Sequence, residues 1–342
     1  MTAAPDRILI IRPSALGDVC RTVSVLASLR RAWPGATIDW LVQDSFVDAV
    51  RAHPALDGVI PFPRARWRSW WRSPSLIREV TGWCRSMRLG AYDLVLDCQG
   101  LARSAVASWS TRAPVRVVRA RARELAWLGG TVRVSDSPGT DALGEMLALV
   151  AALGVPADPD PALRAPQEDV RWWGAARSGL GLAARFAAIA PTSRWPGKRW
   201  HPGRWAELAR RLQSRGLVVA ALGAPGEEAQ VREAIEGVPG AVDLCGRLSI
   251  GRMMAMLADA SIAVAQDSAA VHIAAGMGCP YVGIFGPTDP ERTGPWGGAA
   301  WCLWGGRGER LGAHEYRDEA RGRALMDRIV VDAVMERCEA RL

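Results

Sequence analysis

Lysine is almost absent from this chain, and most of its aromatic residues are tryptophan. The 342 residues include 43 lysines and arginines taken together, nearly all of them arginine. Tyrosine occurs three times, phenylalanine four times and histidine four times, against sixteen tryptophans. The formal net charge of +8 favours anionic partners, and nucleic acid, acidic lipid and phosphorylated metabolites all fit it. A basic soluble protein without such a partner is the plain alternative.

Several classes of protein are disfavoured by what the chain lacks. Its seven cysteines form no C-x-x-C pair and no zinc-ligand spacing with histidine, so we expect small buried thiols in a reducing compartment. An apolar run begins at residue 8, which leaves no room for a signal peptide. The best membrane candidate, 146–155, is too short to span a bilayer. We therefore expect a cytoplasmic protein that at most lies on a membrane surface.

Short apolar runs alternate with amphipathic stretches in two successive series. The predicted strands are 7–12, 37–42, 58–62, 93–97, 115–118 and 131–134, followed by 186–190, 217–222, 241–244, 261–265 and 281–285. The predicted helices between them include 19–33, 202–215, 226–236, 250–258 and 269–277. This β-α-β alternation predicts an α/β protein with two parallel sheets covered by helices.

A proline-rich stretch separates the two series. Residues 155–166 contain four prolines, which fit neither a regular helix nor a central strand. We expect an N-terminal domain over 1–160 and a C-terminal domain over 161–325. Residues 326–342 are expected to form a closing helix that could pack back on the N-terminal domain. Ligands of such folds bind at the carboxyl ends of the strands, so the loops there are where chemistry is expected.

The most informative of these loops is 267–272, which leads from a buried strand into a helix. Free backbone N–H groups and the positive end of the helix dipole meet there, which is typical of a phosphate site. We assign donor binding to Asp267, Ser268, Ala269 and His272. The histidine could contact a phosphate or could equally be structural.

Three other loops carry candidate residues. Asp18 follows the first strand and could take a proton from a hydroxyl nucleophile, or it could simply cap a helix. Lys198 could neutralise a phosphate, and Thr192 and Ser193 offer hydroxyls in the same loop. Glu227, or its neighbour Glu228, could accept hydrogen bonds from a ribose or base, or both could be first-turn helix acids.

Arginines are dense in the first domain and intermixed with tryptophan. Residues 64–88 contain seven arginines against the single acid Glu79, and 112–123 add five more. The tryptophans of 67–71 lie among them, and a mixed Trp/Arg surface suits an amphiphilic anionic target. No helix-turn-helix, RRM or finger pattern is present, so we favour an anionic acceptor at a membrane surface over nucleic acid.

In ordered combination these motifs resemble the ADP-heptose:lipopolysaccharide heptosyltransferases of glycosyltransferase family nine, and most closely the type I members. The matching segments are 14–18, 66–71, 92–101, the Lys198 loop, 223–228, 267–272 and 286–290. They occur in the family's order over nearly the whole chain. One departure is Ser268-Ala269, where the family commonly has a Thr-Gly or Ser-Gly pair.

The resemblance implies a GT-B fold, with two Rossmann-like domains facing across a cleft. It implies inverting transfer of L-glycero-D-manno-heptose from ADP-heptose to the Kdo inner core of lipopolysaccharide. No Asp-x-Asp lies at the end of a predicted strand to hold a metal against the diphosphate, so we expect no obligatory metal or cofactor. Asp18 matches the general base, and Lys198 matches a group that assists ADP departure. The residues expected to bind the acceptor are Ser14, Gly17, Arg66, Arg68 and Arg123. A cytoplasmic enzyme peripheral to the inner membrane follows from this resemblance.

Two other interpretations stay open at this point. The chain could be a transferase or epimerase that acts on a different nucleotide sugar, because fold alone does not determine function. It could also be a non-catalytic protein that binds a nucleotide sugar.

Overall fold

The computed structural model describes residues 4–135, 141–312 and 317–342. Within them the chain divides into two compact units, Met1–Pro161 and Ala162–Leu342. The proline-rich stretch predicted as a linker crosses the boundary between the units and forms hydrogen bonds within each. Before the boundary, the carbonyl of Asp158 accepts a hydrogen bond from the hydroxyl of Ser28 in the first unit. After it, the N–H of Leu163 donates to the carbonyl of Gly276 in the second unit.

The first unit is a six-stranded parallel sheet with the strand order β3-β2-β1-β4-β5-β6. Its strands are β1 (Arg7–Ile11), β2 (Thr37–Gln43), β3 (Gly58–Phe62), β4 (Leu94–Asp97), β5 (Val115–Arg119) and β6 (Val132–Val134). Its helices are α1 (Leu16–Ala32), α2 (Pro74–Leu89), α3 (Ala102–Thr111) and α4 (Ala142–Ala151).

The second unit repeats this topology with the order β12-β11-β10-β7-β8-β9. Its strands are β7 (Phe186–Ala190), β8 (Val218–Ala221), β9 (Val242–Asp243), β10 (Ile262–Gln266), β11 (Tyr281–Phe285) and β12 (Cys302–Trp304). Its helices are α5 (Gln167–Ala176), α6 (Pro202–Ser214), α7 (Glu228–Ala234), α8 (Ile250–Asp259), α9 (Ala269–Gly276), α10 (Pro290–Thr293), α11 (Glu319–Asp327) and α12 (Val331–Glu339).

The central strands are apolar because helices cover both faces of each sheet. Residues Ile8 to Ile11 of β1 are fully buried, and every residue of β7, β10 and β11 is buried. Strands of this kind appear in a sequence as continuous apolar runs. The predicted α/β class with two parallel sheets is therefore confirmed.

In each sheet the strand order reverses between the first and the fourth strand of the unit. This topological switch point lies between β1 and β4 in the first unit and between β7 and β10 in the second. Chains that leave such neighbouring strands diverge to opposite faces, which opens a crevice at the carboxyl ends. The loops that follow these four strands, which carry several of the candidate residues, lie at these carboxyl ends.

Within 326–342, where we expected a closing helix, the structure has α12. The preceding helix α11 ends at Asp327, and residues 328–330 separate the two. Val334 and Cys338 of α12 are fully buried in the core of the second unit, where α12 packs on α6 and β11. Among the helices in the described ranges, none is long and apolar enough to cross a membrane.

Candidate active site

Asp18 lies in the first turn of α1 and is held by two arginines. Its carboxylate oxygens lie 2.5 Å from guanidinium nitrogens of Arg12 and Arg21, one on each oxygen. The residue at the helix N-cap is Ala15, so the alternative that Asp18 caps the helix is wrong. The two ion pairs fix the orientation of a carboxylate that is still 26% exposed, and Gly17 precedes it in the same turn.

Ser14 joins the loops that follow β1 and β4. Its backbone N–H donates to the side chain of Gln99 at 3.0 Å. Its hydroxyl accepts long hydrogen bonds from Arg64 at 3.4 Å and Arg103 at 3.3 Å. Burial and then the nearby charge of Arg64 lower the pKa of Arg103. This concentration of positive charge beside Ser14 is suited to an anionic group.

The β4 loop owes its shape to a buried carboxylate. Asp97 is only 2% exposed and accepts hydrogen bonds from the N–H groups of Gln99 and Gly100 and from the hydroxyl of Ser104. Gly100 has a φ of +63°, a conformation that glycine adopts without a steric penalty. The turn thereby presents Gln99 to Ser14.

The arginines that we predicted to bind the acceptor differ from the two that bond to Ser14. The guanidinium of Arg66 donates twice to one oxygen of Glu79, at 3.0 and 2.7 Å. Arg68 and Arg123 are exposed. The two arginines bonded to Ser14 are Arg64 and Arg103, which our assignment omitted. Arg64 belongs to the dense arginine run and could have been found there, whereas Arg103 had no sequence signal.

The tryptophans of the first unit divide into core and surface. Trp67 is 7% exposed, and its ring meets Phe62 and Trp83 edge-on at centroid distances of 5.5 and 5.3 Å. The expectation that Trp67 shares an exposed Trp/Arg surface is therefore wrong. Trp70 and Trp71 do lie on the surface, with exposed fractions of 40% and 59%.

In the second unit the loops after β7, β10 and β11 converge on one carboxylate. Asp267 lies 2.5 Å from the ammonium of Lys198 and accepts a hydrogen bond of 2.7 Å from the hydroxyl of Thr288. Both members of the ion pair are largely buried, with side-chain exposures of 14% and 11%. Lys198 is the one lysine of the chain. Thr288 was part of a motif noted in the sequence, but we had assigned it no role.

Gln266 fixes the Lys198 loop to the end of β10. It is fully buried, accepts from the N–H of Trp200 and donates to the carbonyl of Pro191, each at 2.5 Å. Because the two bonds bracket the loop, its path between them is constrained. Lys198 is thus held on both sides of its position in the chain.

The turn into α9 carries the residues that we predicted to bind an anion. Ser268 is the N-cap in an extended conformation, and its side chain forms no capping bond with the described backbone. Ala269 begins the helix, and the non-glycine residues of positive φ in the described chain all lie in the first unit. The turn therefore does not need the glycine that the resemblance led us to look for. His272 lies on α9 and is 6% exposed.

The remaining predicted donor residues mostly shape their own loops. Thr192 and Ser193 are buried, and Ser193 accepts at its hydroxyl from the N–H of Trp195 at 3.2 Å. Glu227 accepts from the N–H of Ala224 at 2.8 Å. Glu228 accepts from Gly226, and that backbone bond lowers its pKa.

Helix α11 packs against the Lys198 loop and against the loop that carries Thr288. A Cβ atom built on Gly322 of α11 would lie 2.4 Å from the carbonyl oxygen of Gly197, beside Lys198. A Cβ atom on Gly286, at the start of the Thr288 loop, would lie 2.4 Å from the sulfur of Met326. The first contact is with backbone, so a side chain on Gly322 would displace the helix or the loop, whereas the second is with a flexible side chain that can move.

The family profile described as glycosyltransferase family 9 (heptosyltransferase) matches residues 80–318. The chain belongs to this family. It is 33% identical to lipopolysaccharide heptosyltransferase 1 of Pseudomonas aeruginosa over 312 residues, which cover 85% of this chain and 81% of that protein. The corresponding Salmonella typhimurium protein is 28% identical over 310 residues, covering 85% and 92%.

Solved structures of other glycosyltransferases share the fold of this glycosyltransferase. Escherichia coli heptosyltransferase WaaC with ADP-2-deoxy-2-fluoro heptose has a TM-score of 0.74 at 25% identity, covering 98% of this chain and all of the other. A family 9 glycosyltransferase of Veillonella parvula has a TM-score of 0.80 at 21% identity, covering 98% and 96%. The predicted GT-B fold and the predicted enzyme class are both confirmed.

The glycosyltransferase shows no metal centre in the part of the chain that is described. Its residues 4–135, 141–312 and 317–342 hold no group of three or more His, Cys, Asp or Glu side chains suited to a metal ion.

Proposed function

We propose that this glycosyltransferase moves L-glycero-D-manno-heptose from ADP-heptose to the Kdo sugar of the lipopolysaccharide inner core, with inversion at the anomeric carbon. The observation that carries the donor half is the Lys198–Asp267–Thr288 group beside the N-terminus of α9. The similarity to lipopolysaccharide heptosyltransferase 1 and to WaaC supports the sugar and the pathway class.

In the proposed reaction an acceptor hydroxyl attacks the anomeric carbon directly. Asp18 takes the hydroxyl proton as the new C–O bond forms. Arg12 and Arg21 keep its carboxylate aimed throughout. The bond between the anomeric carbon and the diphosphate oxygen breaks, and ADP leaves with the electron pair.

Charge builds up on the diphosphate as it leaves. Lys198 supplies a compact cation for that charge, and the N–H groups at the start of α9 supply aligned dipoles. Ser268 and Ala269 are proposed to let the phosphates approach these N–H groups closely. Roles for Thr192, Ser193, Glu227 and His272 in holding the rest of the donor follow from their loops.

The anionic acceptor is proposed to bind in the first unit. Ser14, with Arg64 and Arg103 on its hydroxyl, offers a positive site close in sequence to Asp18. Gly17, Arg66, Arg68 and Arg123 complete the proposed acceptor surface. Because such an acceptor is lipid-linked, the enzyme is proposed to act at the cytoplasmic face of the inner membrane without being embedded in it.

The decisive experiment incubates the purified protein with ADP-heptose and heptose-free Kdo–lipid A, followed by mass spectrometry of the lipid. A mass gain of one heptose is expected. Conversion of ADP-heptose without any acceptor would support an epimerase instead. Tight binding of ADP-heptose with no transfer would support a non-catalytic binding protein.

A further inference from the structure

Four large apolar side chains are exposed on α3 and on the neighbouring turn, which consists of Leu125 and the 3₁₀ helix Ala126–Gly129. The exposed fractions are 51% for Val106, 50% for Trp109, 63% for Leu125 and 57% for Leu128. Single exposed apolar residues are ordinary, but a group of them marks an interaction site. These four side chains are called the apolar face below.

The two halves of the apolar face belong to one surface because the turn packs directly on α3. Glu124 accepts a hydrogen bond from the N–H of Ala102, at the start of the helix. At the other end of the turn, the carbonyl of Gly129 accepts from Ser108 at 3.3 Å. A Cβ atom on Gly129 would lie 2.8 Å from the Cα of Ala105, so the backbones touch.

Two residues at the start of this turn have left-handed backbone conformations. Glu124 and Leu125 have φ angles of +54° and +59°, in the left-handed region that is unfavourable for residues with side chains. Conformations of this kind persist where the surrounding structure enforces them, and they cluster at functional sites. Leu125 in this conformation is exposed although it is apolar.

Arginine predominates in the sequence around the apolar face. Residues 98–135 contain seven arginines and one acid, Glu124, and one of these arginines, Arg119, pairs with Glu145 of α4. The guanidinium of Arg112 lies 3.8 Å from the ring centre of Trp109, and that of Arg133 lies 4.5 Å from the ring centre of Trp127. Arginine can lay its aliphatic stem along apolar surface while its charge stays in water. Tryptophan and arginine together suit the boundary between lipid chains and anionic headgroups.

We infer that the apolar face docks the enzyme on a membrane with anionic headgroups. The apolar side chains would enter the headgroup region while the surrounding arginines pair with lipid phosphates. The inference rests on the proposed function in that a lipid-linked acceptor lies in such a membrane. Continuity supports it, because Leu125 follows two residues after Arg123 of the proposed acceptor surface.

The test is co-sedimentation of the full chain with vesicles of phosphatidylcholine, alone or mixed with phosphatidylglycerol. The wild type is expected to bind the mixed vesicles, more weakly as salt increases, and to bind phosphatidylcholine poorly. The double variant L125S/L128S should bind the mixed vesicles about tenfold more weakly or worse. The charge variant R121E/R133E should lose the preference for phosphatidylglycerol.

Matched controls lie on α5 of the second unit, where Val170 is 42% exposed and Arg171 is also exposed. V170S and R171E should bind vesicles as the wild type does. Binding unchanged in L125S/L128S, or lowered equally by the control variants, would overturn the inference. So would a wild-type dimer in analytical ultracentrifugation that L125S/L128S converts to monomer, because the face would then pair two copies.

Measurements of heptose transfer distinguish an error in the role of the apolar face from an error in the proposed function. On a deacylated, water-soluble acceptor, L125S/L128S should keep wild-type turnover, while turnover on acceptor in mixed vesicles falls. Vesicle binding itself does not depend on catalysis. A protein that binds mixed vesicles through the face but transfers no heptose would contradict the proposed function alone.

Discussion

The ammonium of Lys198 lies 2.5 Å from the carboxylate of Asp267, and the same carboxylate oxygen accepts a hydrogen bond from Thr288. Three loops of the second unit are thereby tied to one point at the carboxyl edge of its sheet. The pairing aims the cation, because a lysine side chain has little preferred direction of its own. A diphosphate that arrives at α9 would meet a positive charge already in position.

Replacing Lys198 by methionine should therefore impair departure of the diphosphate. We expect kcat/KM for heptose transfer to fall by about 10²–10³-fold, the usual effect of removing one group that stabilises transition-state charge. Lys198→Arg should recover only part of the activity, because a planar guanidinium cannot repeat the contact of a compact ammonium. Steady-state kinetics on both variants checks this, and near-normal turnover of Lys198→Met would exclude the role.

Because Lys198 is the one lysine of the chain, its environment can be probed chemically without mutation. An amine-directed acylating reagent should modify Lys198 slowly, since its side chain is only 14% exposed and is paired with Asp267. ADP should slow the reaction further, and Asp267→Asn should accelerate it. Peptide mass spectrometry distinguishes this lysine from the N-terminal amine, which serves as the internal control. Equal labelling with and without saturating ADP would argue against a diphosphate at Lys198.

The side chain of Asp18 is the proposed base, so Asp18→Asn should separate catalysis from binding. We expect kcat to fall by about 10²–10⁴-fold while ADP-heptose affinity, measured by calorimetry, stays nearly unchanged. Asp48→Asn is a matched control, because Asp48 also pairs with an arginine three residues later, Arg51, at 2.7 Å. A variant Asp18→Asn with the turnover of Asp48→Asn would remove Asp18 from the mechanism.

The buried thiols should be nearly inert, as expected from their scattered positions. Burial raises the pKa of Cys20 and of Cys98 to about 12, and that of Cys245 to about 11. Alkylation requires the thiolate, which is scarce at neutral pH when the pKa is this high. Iodoacetamide should therefore modify the half-buried Cys84 first, and the other cysteines only on unfolding. Early modification of Cys20 or Cys98 in the folded protein would contradict the prediction.

The sheet framework could be predicted from the sequence because buried parallel strands are uninterrupted apolar runs. Residues 281–285 were predicted as a strand and form β11 with the same bounds. The strand β12 (Cys302–Trp304) was missed because it has only three residues, too few to form a recognisable apolar run. Loops directly after strands could likewise be placed, which is why Asp18, Lys198 and Asp267 were identified as candidates.

Contacts between loops from different strands could not be predicted in this way. Thr288 contacts Asp267 because β10 and β11 are neighbours in the sheet. No single sequence motif indicates the order of the strands in a sheet. The hydrogen bond to Ser14 comes from Arg64 and not from Arg66. This choice depends on the path of the chain into the 3₁₀ helix Arg66–Arg72. The support of the Lys198 loop by α11 joins residues more than a hundred positions apart.

Gly322 in the interior of α11 is the residue that lies against the Lys198 loop. A Cβ atom there would lie 2.6 Å from the Cα of Gly197 as well as against its carbonyl, so Gly322→Ala must displace either the helix or the Lys198 loop. Overpacking of this kind costs about 1–3 kcal/mol, and displacement of Lys198 should weaken ADP binding. Gly174 of α5 is the matched control, since a Cβ atom on it meets no described atom within 4 Å.

The two glycines should consequently respond in opposite directions. Gly174→Ala should stabilise the protein by about 0.5–1 kcal/mol, because alanine favours a helix interior over glycine, and should leave ADP affinity unchanged. Gly322→Ala should lower the free energy of unfolding in urea and, well below its melting temperature, also lower ADP affinity in calorimetry. Lower stability with unchanged ADP affinity would mean that α11 yields to the new methyl group while the Lys198 loop stays in place, so α11 would support stability alone.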